Sequence, residues 1–166
     1  MAKVIGLEIL SITDSAKVFE LYSNGMVLQN YRHRPIANRS QTKDFIRRIT
    51  TNGCWSWKII SNDKNKTFLG ICSLHHFDQS EKSIEIGGTL FPEFWGQGIM
   101  QNAFNELLEI AKIDFGVRKV LGKTLPTNQQ AIKMVRKLGF EILKDDAQEI
   151  ILIRYINKKN TSVMST

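Results

Sequence analysis

The chain has 166 residues with 42% apolar side chains, which is typical of one globular domain with a sizeable hydrophobic core. No apolar run approaches the roughly 20 residues that cross a bilayer, and the first residues lack the apolar core of a signal peptide. Cys54 and Cys72 have neither metal-ligand nor redox spacing. The sequence therefore argues against membrane-spanning and disulfide-scaffold proteins and predicts a cytoplasmic protein.

The formal net charge of +7 leaves two interpretations open. It favours a polyanionic ligand, such as RNA or a phosphorylated cofactor, or it is the ordinary charge of a solvated surface. Basic side chains concentrate between Arg32 and Arg48, so the charge is not evenly spread. We place a single domain at residues 1–156 and predict a polar C-terminal tail at 157–166.

The N-terminal third of the chain predicts a strand and two helices. Residues 4–10 have the pattern of a strand, and an apolar stripe over residues 16–25 predicts a first helix. Residues 26–40 have no clear period, which indicates a loop or a broken helix. Thr42 is the predicted cap of a second helix that ends near Gly53.

The middle of the chain predicts an antiparallel meander followed by a helix. Three segments have strand character and are separated by turns: residues 54–61, 67–77 and 83–91. From Ile99 onward the apolar residues fall on one face of a helix. Gly116 is a suitable stop for this helix, which is the best-supported element of the prediction.

The remaining residues predict a strand at 117–125, a helix capped by Asn128 or Thr127, and closing strands at 140–143 and 148–156. The predicted order is β-α-α-β-β-β-α-β-α-β-β. This order indicates a mixed α/β (α+β) fold with an antiparallel meander and a later βαβ crossover.

The sequence Gly96-Gln97-Gly98 connects the strand at 83–91 to the helix that begins at Ile99. Glycines let backbone N–H groups approach an anion, and a helix N-terminus favours negative charge. A dinucleotide fingerprint would need a third glycine where the chain has Gln101. We therefore predict that this loop binds the pyrophosphate of an acyl-coenzyme A; the alternative is an ordinary turn.

Gly87 and Gly88 lie inside a predicted strand, where glycine is unfavourable unless the backbone needs it. We predict a β-bulge or a close backbone approach at this point, the alternative being a kink needed for packing. A bulge that separates this strand from the next parallel strand would leave backbone groups for an amide-containing cofactor arm.

Several short segments between residues 69 and 143 form a set: Glu85-Ile86-Gly87, Pro92, Trp95-Gly96-Gln97-Gly98-Ile99, Asn128, Ala131 and Leu138-Gly139-Phe140. With this set the chain resembles the GCN5-related N-acetyltransferase (GNAT) superfamily, and in particular its ribosomal-protein-alanine acetyltransferase-like branch. The resemblance implies the acyl-CoA N-acyltransferase fold, a mostly antiparallel sheet of about seven strands with helices on both faces. It also implies acetyl-CoA as co-substrate and no metal.

The resemblance implies a cofactor site in which the amides of residues 97–100 hold the pyrophosphate. The backbone of residues 89–91 would pair with the pantetheine arm, and Asn128 would bond that arm. Lys133, Arg136 and Lys137 are candidate phosphate contacts or the polar face of a helix. The predicted cofactor-binding residues are Thr89, Leu90, Phe91, Trp95, Gly96, Gln97, Gly98, Ile99, Met100, Asn128, Ala131 and Lys137.

Four positions depart from the family pattern. Trp95 stands where the superfamily often has Gln or Arg, although the named branch tends to have Trp. Met100 stands where Gly or Ala is usual and is expected to narrow the groove. Val135 and Ala131 stand where relatives carry a tyrosine acid and a serine, so we expect water to protonate the leaving thiolate.

Glu85 is the predicted catalytic base, directly or through water, with burial expected to raise its pKa. The alternatives are a carboxylate paired with a neighbouring Lys or Arg, or a substrate anchor. His75 and His76 are the next candidates, and as strand neighbours they are expected to face opposite sides. A backbone N–H near Leu90 is the expected donor to the thioester carbonyl.

The predicted function is acetyl transfer from acetyl-CoA to a primary amine, a protein N-terminus or a small molecule, by direct attack in a ternary complex. Arg32, His33 and Arg34 line the acceptor groove or form a solvated loop. We expect no membrane partner, nucleic-acid contact only through the ribosome, and homodimer formation through strand edges. The alternatives are a non-catalytic acyl-CoA sensor and a basic RNA-binding module.

Overall fold

The computed structural model describes residues 4–31 and 34–156. Seven strands are present: β1 (Ile5–Ile9), β2 (Trp55–Ser61), β3 (Phe68–Asp78), β4 (Ser83–Leu90), β5 (Lys119–Thr124), β6 (Glu141–Asp145) and β7 (Ile150–Tyr155). Five α-helices are present: α1 (Ser15–Ser23), α2 (Gly25–Leu28), α3 (Arg39–Thr50), α4 (Ile99–Ile113) and α5 (Gln129–Lys137). The predicted tail at 157–166 lies outside the described residues.

The strands form one sheet in the order β1-β2-β3-β4-β5-β7-β6. Only the β4–β5 pair is parallel among the described strands, and the other neighbours are antiparallel. The parallel pairing runs from Ser83 opposite Lys119 to Ile86 opposite Gly122 and then stops, although both strands continue. The sheet therefore opens between β4 and β5, and the predicted mixed, mostly antiparallel fold is confirmed.

Helices cover both faces of the sheet. On one face, α1 and α3 contribute Leu21 and Ile46 to a buried cluster with Ile71 of β3. On the other face, α4 and α5 contribute Leu107 and Val135 to a larger cluster with strand residues. Because successive strand residues point to opposite faces, each strand supplies both clusters.

Helix caps explain where the N-terminal helices begin. The predicted cap Thr42 is wrong, because Asn38 lies before the first turn of α3 and its Oδ1 accepts the Gln41 N–H at 2.9 Å. Thr42 is instead fully buried, and its hydroxyl donates to the Asn38 carbonyl. The segment expected to be a loop or broken helix contains the single turn α2, which Asn24 caps.

The predicted bulge at Gly87 and Gly88 is absent. The β3–β4 register is continuous from Gly70 opposite Leu90 to His75 opposite Glu85. A close approach explains Gly88, because a Cβ there would lie 2.6 Å from the Met100 sulfur. A Cβ at Gly87 would lie 3.4 Å from His75 Nε2, which is an ordinary van der Waals contact. The irregular register lies on β3, after His75.

None of the helices that the structure describes has the length and apolar character required to span a lipid bilayer.

Candidate active site

A cavity of about 890 Å³ lies where β4 and β5 separate. Its wall includes Glu85, Gly87 and Thr89, which point to the α1/α3 face, and Ile86, Gly88 and Leu90, which point to the α4/α5 face. The cavity is therefore open to both sides of the sheet, so two ligands can approach each other from opposite faces.

The loop before α4 presents unbonded backbone donors. Gly96 and Gly98 have φ values of 72° and 73°, a left-handed conformation that favours glycine. Gly98 is the N-cap of α4 and contributes no side-chain cap. Among the described residues, the N–H groups of Gln97 to Met100 donate to no other protein group. Four donors at a helix N-terminus form a site suited to a pyrophosphate.

Two side-chain hydrogen bonds hold this loop in place. Trp95 Nε1 donates to the Leu90 carbonyl at 3.0 Å, and Gln97 Nε2 donates to the Glu93 carbonyl at 2.8 Å. These bonds connect the loop to the end of β4 and to the turn that follows it. Trp95 and Gln97 therefore position the loop through their side chains.

The predicted backbone pairing at residues 89–91 is altered at Phe91. The Phe91 N–H donates to the Leu69 carbonyl at 3.0 Å, and its ring is buried in the α1/α3 cluster. Because backbone groups alternate along a strand, the N–H groups of Gly88 and Leu90 point away from β3, toward the opening. Gly88 and Leu90 therefore offer backbone N–H groups to a ligand, and Thr89 and Phe91 do not.

Ten of the twelve predicted cofactor residues line the cavity; Phe91 and Gln97 do not. Asn128 caps α5 as predicted, since its Oδ1 accepts the Ala131 N–H at 3.3 Å, which leaves its amide NH₂ as a donor. Lys133 and Lys137 of α5 also line the cavity, whereas Arg136 of the same helix does not.

Glu85 is held by three cationic or imidazole groups. Lys123 Nζ lies 2.8 Å from its Oε1, and the Nδ1 atoms of His76 and His75 lie 3.2 and 3.7 Å from its Oε2. Burial favours a higher pKa for Glu85, but the hydrogen bonds and charges of Lys123 and His76 outweigh it and lower the pKa below its usual value. The predicted rise in pKa is wrong, and the alternative of a paired carboxylate matches the geometry.

His75 and His76 lie on the same side of β3, contrary to the sequence expectation. His76 has a φ of 50°, which interrupts the alternation of the strand, and the two Nδ1 atoms are 3.0 Å apart. Burial lowers the pKa of His75, the charges of His76 and Lys123 lower it further, and Glu85 opposes them. His75 is therefore mainly neutral near pH 7.

The α1/α3 side of the cavity is aromatic. Tyr22 packs against Tyr31 and Phe45, with ring centroids 5.1 and 4.8 Å apart. The Tyr22 hydroxyl donates to Thr89 Oγ1 at 3.4 Å, and burial raises the pKa of Tyr22 despite that bond. Arg34 is exposed and does not line the cavity, whereas the other two predicted groove residues, 32 and 33, lie outside the described residues.

A family model described as an acetyltransferase (GNAT) domain matches residues 5–141. The chain belongs to the GNAT family. This confirms the predicted superfamily and its acetyltransferase class.

Similar proteins match most of the chain at low sequence identity. An uncharacterised N-acetyltransferase of Bacillus subtilis (strain 168), YoaA, is 21% identical over 155 residues, or 89% of this chain and 82% of that protein. A crystallised domain from Methanocaldococcus jannaschii DSM 2661 superposes with a TM-score of 0.80 and 18% identity over 93% of this chain and 99% of that one. Spermidine N-acetyltransferase from Vibrio cholerae, solved with CoA and spermine, superposes with a TM-score of 0.78 and 16% identity. The superposition covers 92% of this chain and 94% of that one.

Sequence reasoning missed part of this GNAT site. Lys123 follows Gly122 at the point where the parallel pairing ends, and its contact with Glu85 depends on a register that no local pattern reveals. Ser56 and Ser73, whose Oγ atoms are 2.7 Å apart, line the cavity from neighbouring strands. A polar residue in a mostly apolar strand was the one available signal for these serines.

Proposed function

We propose that this protein transfers an acetyl group from acetyl-CoA to a primary amine by direct attack in a ternary complex. The observation that carries the proposal is the opening between β4 and β5, next to four unbonded backbone donors at the N-terminus of α4. Together they provide a place for a pyrophosphate and, beside it, a gap into which an amide-containing arm fits.

We assign the pyrophosphate to the amides of Gln97 to Met100, with Lys133 and Lys137 near the phosphates. The pantetheine arm would bond the backbone of Gly88 and the amide of Asn128. This arrangement directs the thioester to the Leu90 N–H, which would donate to the carbonyl oxygen as charge develops there.

The transfer requires a neutral amine, because an ammonium has no lone pair. We propose that Glu85 receives the amine proton through water and that neutral His75 supports this role. The amine nitrogen then forms a bond to the carbonyl carbon, the C–S bond breaks, and the thiolate leaves with a proton from water. This last step follows from Ala131 and Val135, which place no acidic side chain at those two positions of the cavity wall.

The acceptor side favours a molecule with a single amine. Among the described residues, two carboxylates line the cavity, Glu85 and Glu149, and Lys123 already pairs with Glu85. A polyamine, such as the spermine bound by the V. cholerae relative, needs several anionic partners. We therefore favour a peptide N-terminus, as in the ribosomal-protein-alanine acetyltransferase-like branch, or a small monoamine.

Thiol release from acetyl-CoA tests the proposal against a panel of peptides, small monoamines and spermidine. Acceptor-dependent release that Glu85→Gln lowers by about 10²-fold or more is the expected result. Binding of CoA without turnover of any acceptor would indicate a sensor. Salt-dependent RNA binding without CoA affinity would indicate an RNA-binding module and would contradict the proposal.

A further inference from the structure

His75, His76 and Glu85 form a cluster of three ligand-type atoms at the α1/α3 side of the cavity. The His75 Nδ1 and His76 Nδ1 atoms are 3.0 Å apart, and Glu85 Oε2 lies 3.7 and 3.2 Å from them. All three distances join the same three atoms, so these atoms form a compact triangle. The acetyl transfer proposed above uses Glu85 and His75 but gives no reason for this triangle.

The size of the triangle matches the face of a metal coordination tetrahedron. Zn²⁺ lies about 2.0–2.2 Å from imidazole nitrogen and carboxylate oxygen, which places tetrahedral ligand atoms about 3.4 Å apart. Each of the three measured separations lies within about 0.4 Å of that value. The separations of these three atoms therefore fit one divalent ion.

The fold maintains this triangle by one departure from a regular strand. The φ of 50° at His76 turns its ring to the same side as that of His75, where a regular strand would separate them. A non-glycine residue at positive φ is strained, and such strain is concentrated at functional sites.

The two carboxylate oxygens of Glu85 contact different partners. Oε2 faces the two histidines, whereas Oε1 accepts the hydrogen bond from Lys123 at 2.8 Å. A metal ion at Oε2 would therefore leave the Lys123 bond in place. Hydrogen bonds of this kind orient the carboxylate ligands of metal sites.

We propose that His75, His76 and Glu85 bind one divalent ion of the Zn²⁺ class, with the fourth position open to the cavity. Two imidazoles and a carboxylate suit Zn²⁺ and Co²⁺, whereas Mg²⁺ and Ca²⁺ prefer oxygen ligands. The ion occupies the carboxylate that faces the acceptor, so it inhibits acetyl transfer in competition with the amine. This inhibitory effect, unlike the binding itself, rests on the proposed function.

Titration of untagged protein with Co²⁺ or Zn²⁺ alone tests the site, by visible absorption for Co²⁺ and by calorimetry for Zn²⁺. We expect one equivalent to bind the wild type and His76→Asn to weaken binding by about tenfold or more. Asparagine tolerates positive φ, so this substitution preserves the backbone. His33→Asn is the matched control, because His33 is the third histidine of the chain, and it is expected to bind metal as the wild type does.

The proposal is overturned if the wild type takes up neither ion, or if His33→Asn abolishes uptake while His76→Asn does not. His75→Asn serves as a second ligand variant, with circular dichroism to verify folding, and retention of full affinity in both folded variants also overturns it. Uptake is measured without acetyl-CoA. Metal binding by a protein that acetylates no amine therefore supports the site and contradicts the proposed function alone.

Discussion

Replacement of Lys123 by Met removes the ammonium group that lies 2.8 Å from Glu85 Oε1. A hydrogen bond to a charged group contributes about 1.5–3 kcal/mol, and one pKa unit corresponds to about 1.4 kcal/mol. Because the Lys123 side chain is 41% exposed, solvent screening favours the lower end of this range, about 1.5 kcal/mol. We therefore expect the Glu85 pKa to rise in Lys123→Met, since burial is then opposed chiefly by His76.

The sign of the effect on the reaction follows from the role given to Glu85. An ionised Glu85 is needed to accept the proton, so kcat/KM falls as the pH drops through its pKa, which is low in the wild type. In Lys123→Met the acidic limb of the kcat/KM profile should move to higher pH by about one unit. The assay is thiol release between pH 4 and 8 with one acceptor throughout, so that the titration of the acceptor amine is the same for every variant.

Lys119→Met is the matched control for this experiment. Lys119 lies on the same strand, and its Nζ is 2.7 Å from Glu81, which is not part of the cavity wall. This variant should keep the acidic limb of the wild type. An acidic limb that stays in place in Lys123→Met would refute both the pairing argument and the role of Glu85 as proton acceptor.

Three further substitutions test the cofactor side. Gly98→Ala places a side chain at φ 73°, so we expect the free energy of unfolding to fall by about 1 kcal/mol and calorimetry to show weaker CoA binding. Unchanged CoA affinity would argue against CoA binding by the loop amides. Gly88→Ala puts a methyl group 2.6 Å from the Met100 sulfur and should lower Tm, and Met100→Ala in the same chain should restore it in part; no recovery would argue against this contact. Asn128→Asp keeps the oxygen that caps the Ala131 N–H but loses the amide donor, so KM for acetyl-CoA should rise with little change in Tm. Asn128→Ala is its control and should also lose about 1 kcal/mol of stability, measured by chemical denaturation.

Local patterns in the sequence predicted the strand–loop–helix unit because its determinants are adjacent in the chain. Two glycines at positive φ and the apolar stripe of α4 are local features, and so is the cap at Asn128. The start of α3 was misplaced because Asn38 and Thr42 are both acceptable caps by composition, and the burial of Thr42 decides between them.

The polar part of the site could not be predicted in the same way. The pKa of Glu85 depends on Lys123, which is 38 residues away and reaches it only because β4 and β5 are parallel neighbours. The side to which His76 points depends on one backbone angle. Both features result from tertiary contacts, and residue identity alone does not specify them.

The β4–β5 ladder contains four residue pairs, from Ser83–Lys119 to Ile86–Gly122, and it is the sole strand pairing that joins β1–β4 to β5–β7 within the described residues. A ligand that hydrogen-bonds both edges of the gap would extend this short connection and hold the two parts of the sheet together. Such a ligand, at 100 times its Kd, adds about 2.7 kcal/mol to the free energy of unfolding. With acetyl-CoA as that ligand, as proposed above, proteolytic susceptibility of the chain should fall as the acetyl-CoA concentration rises.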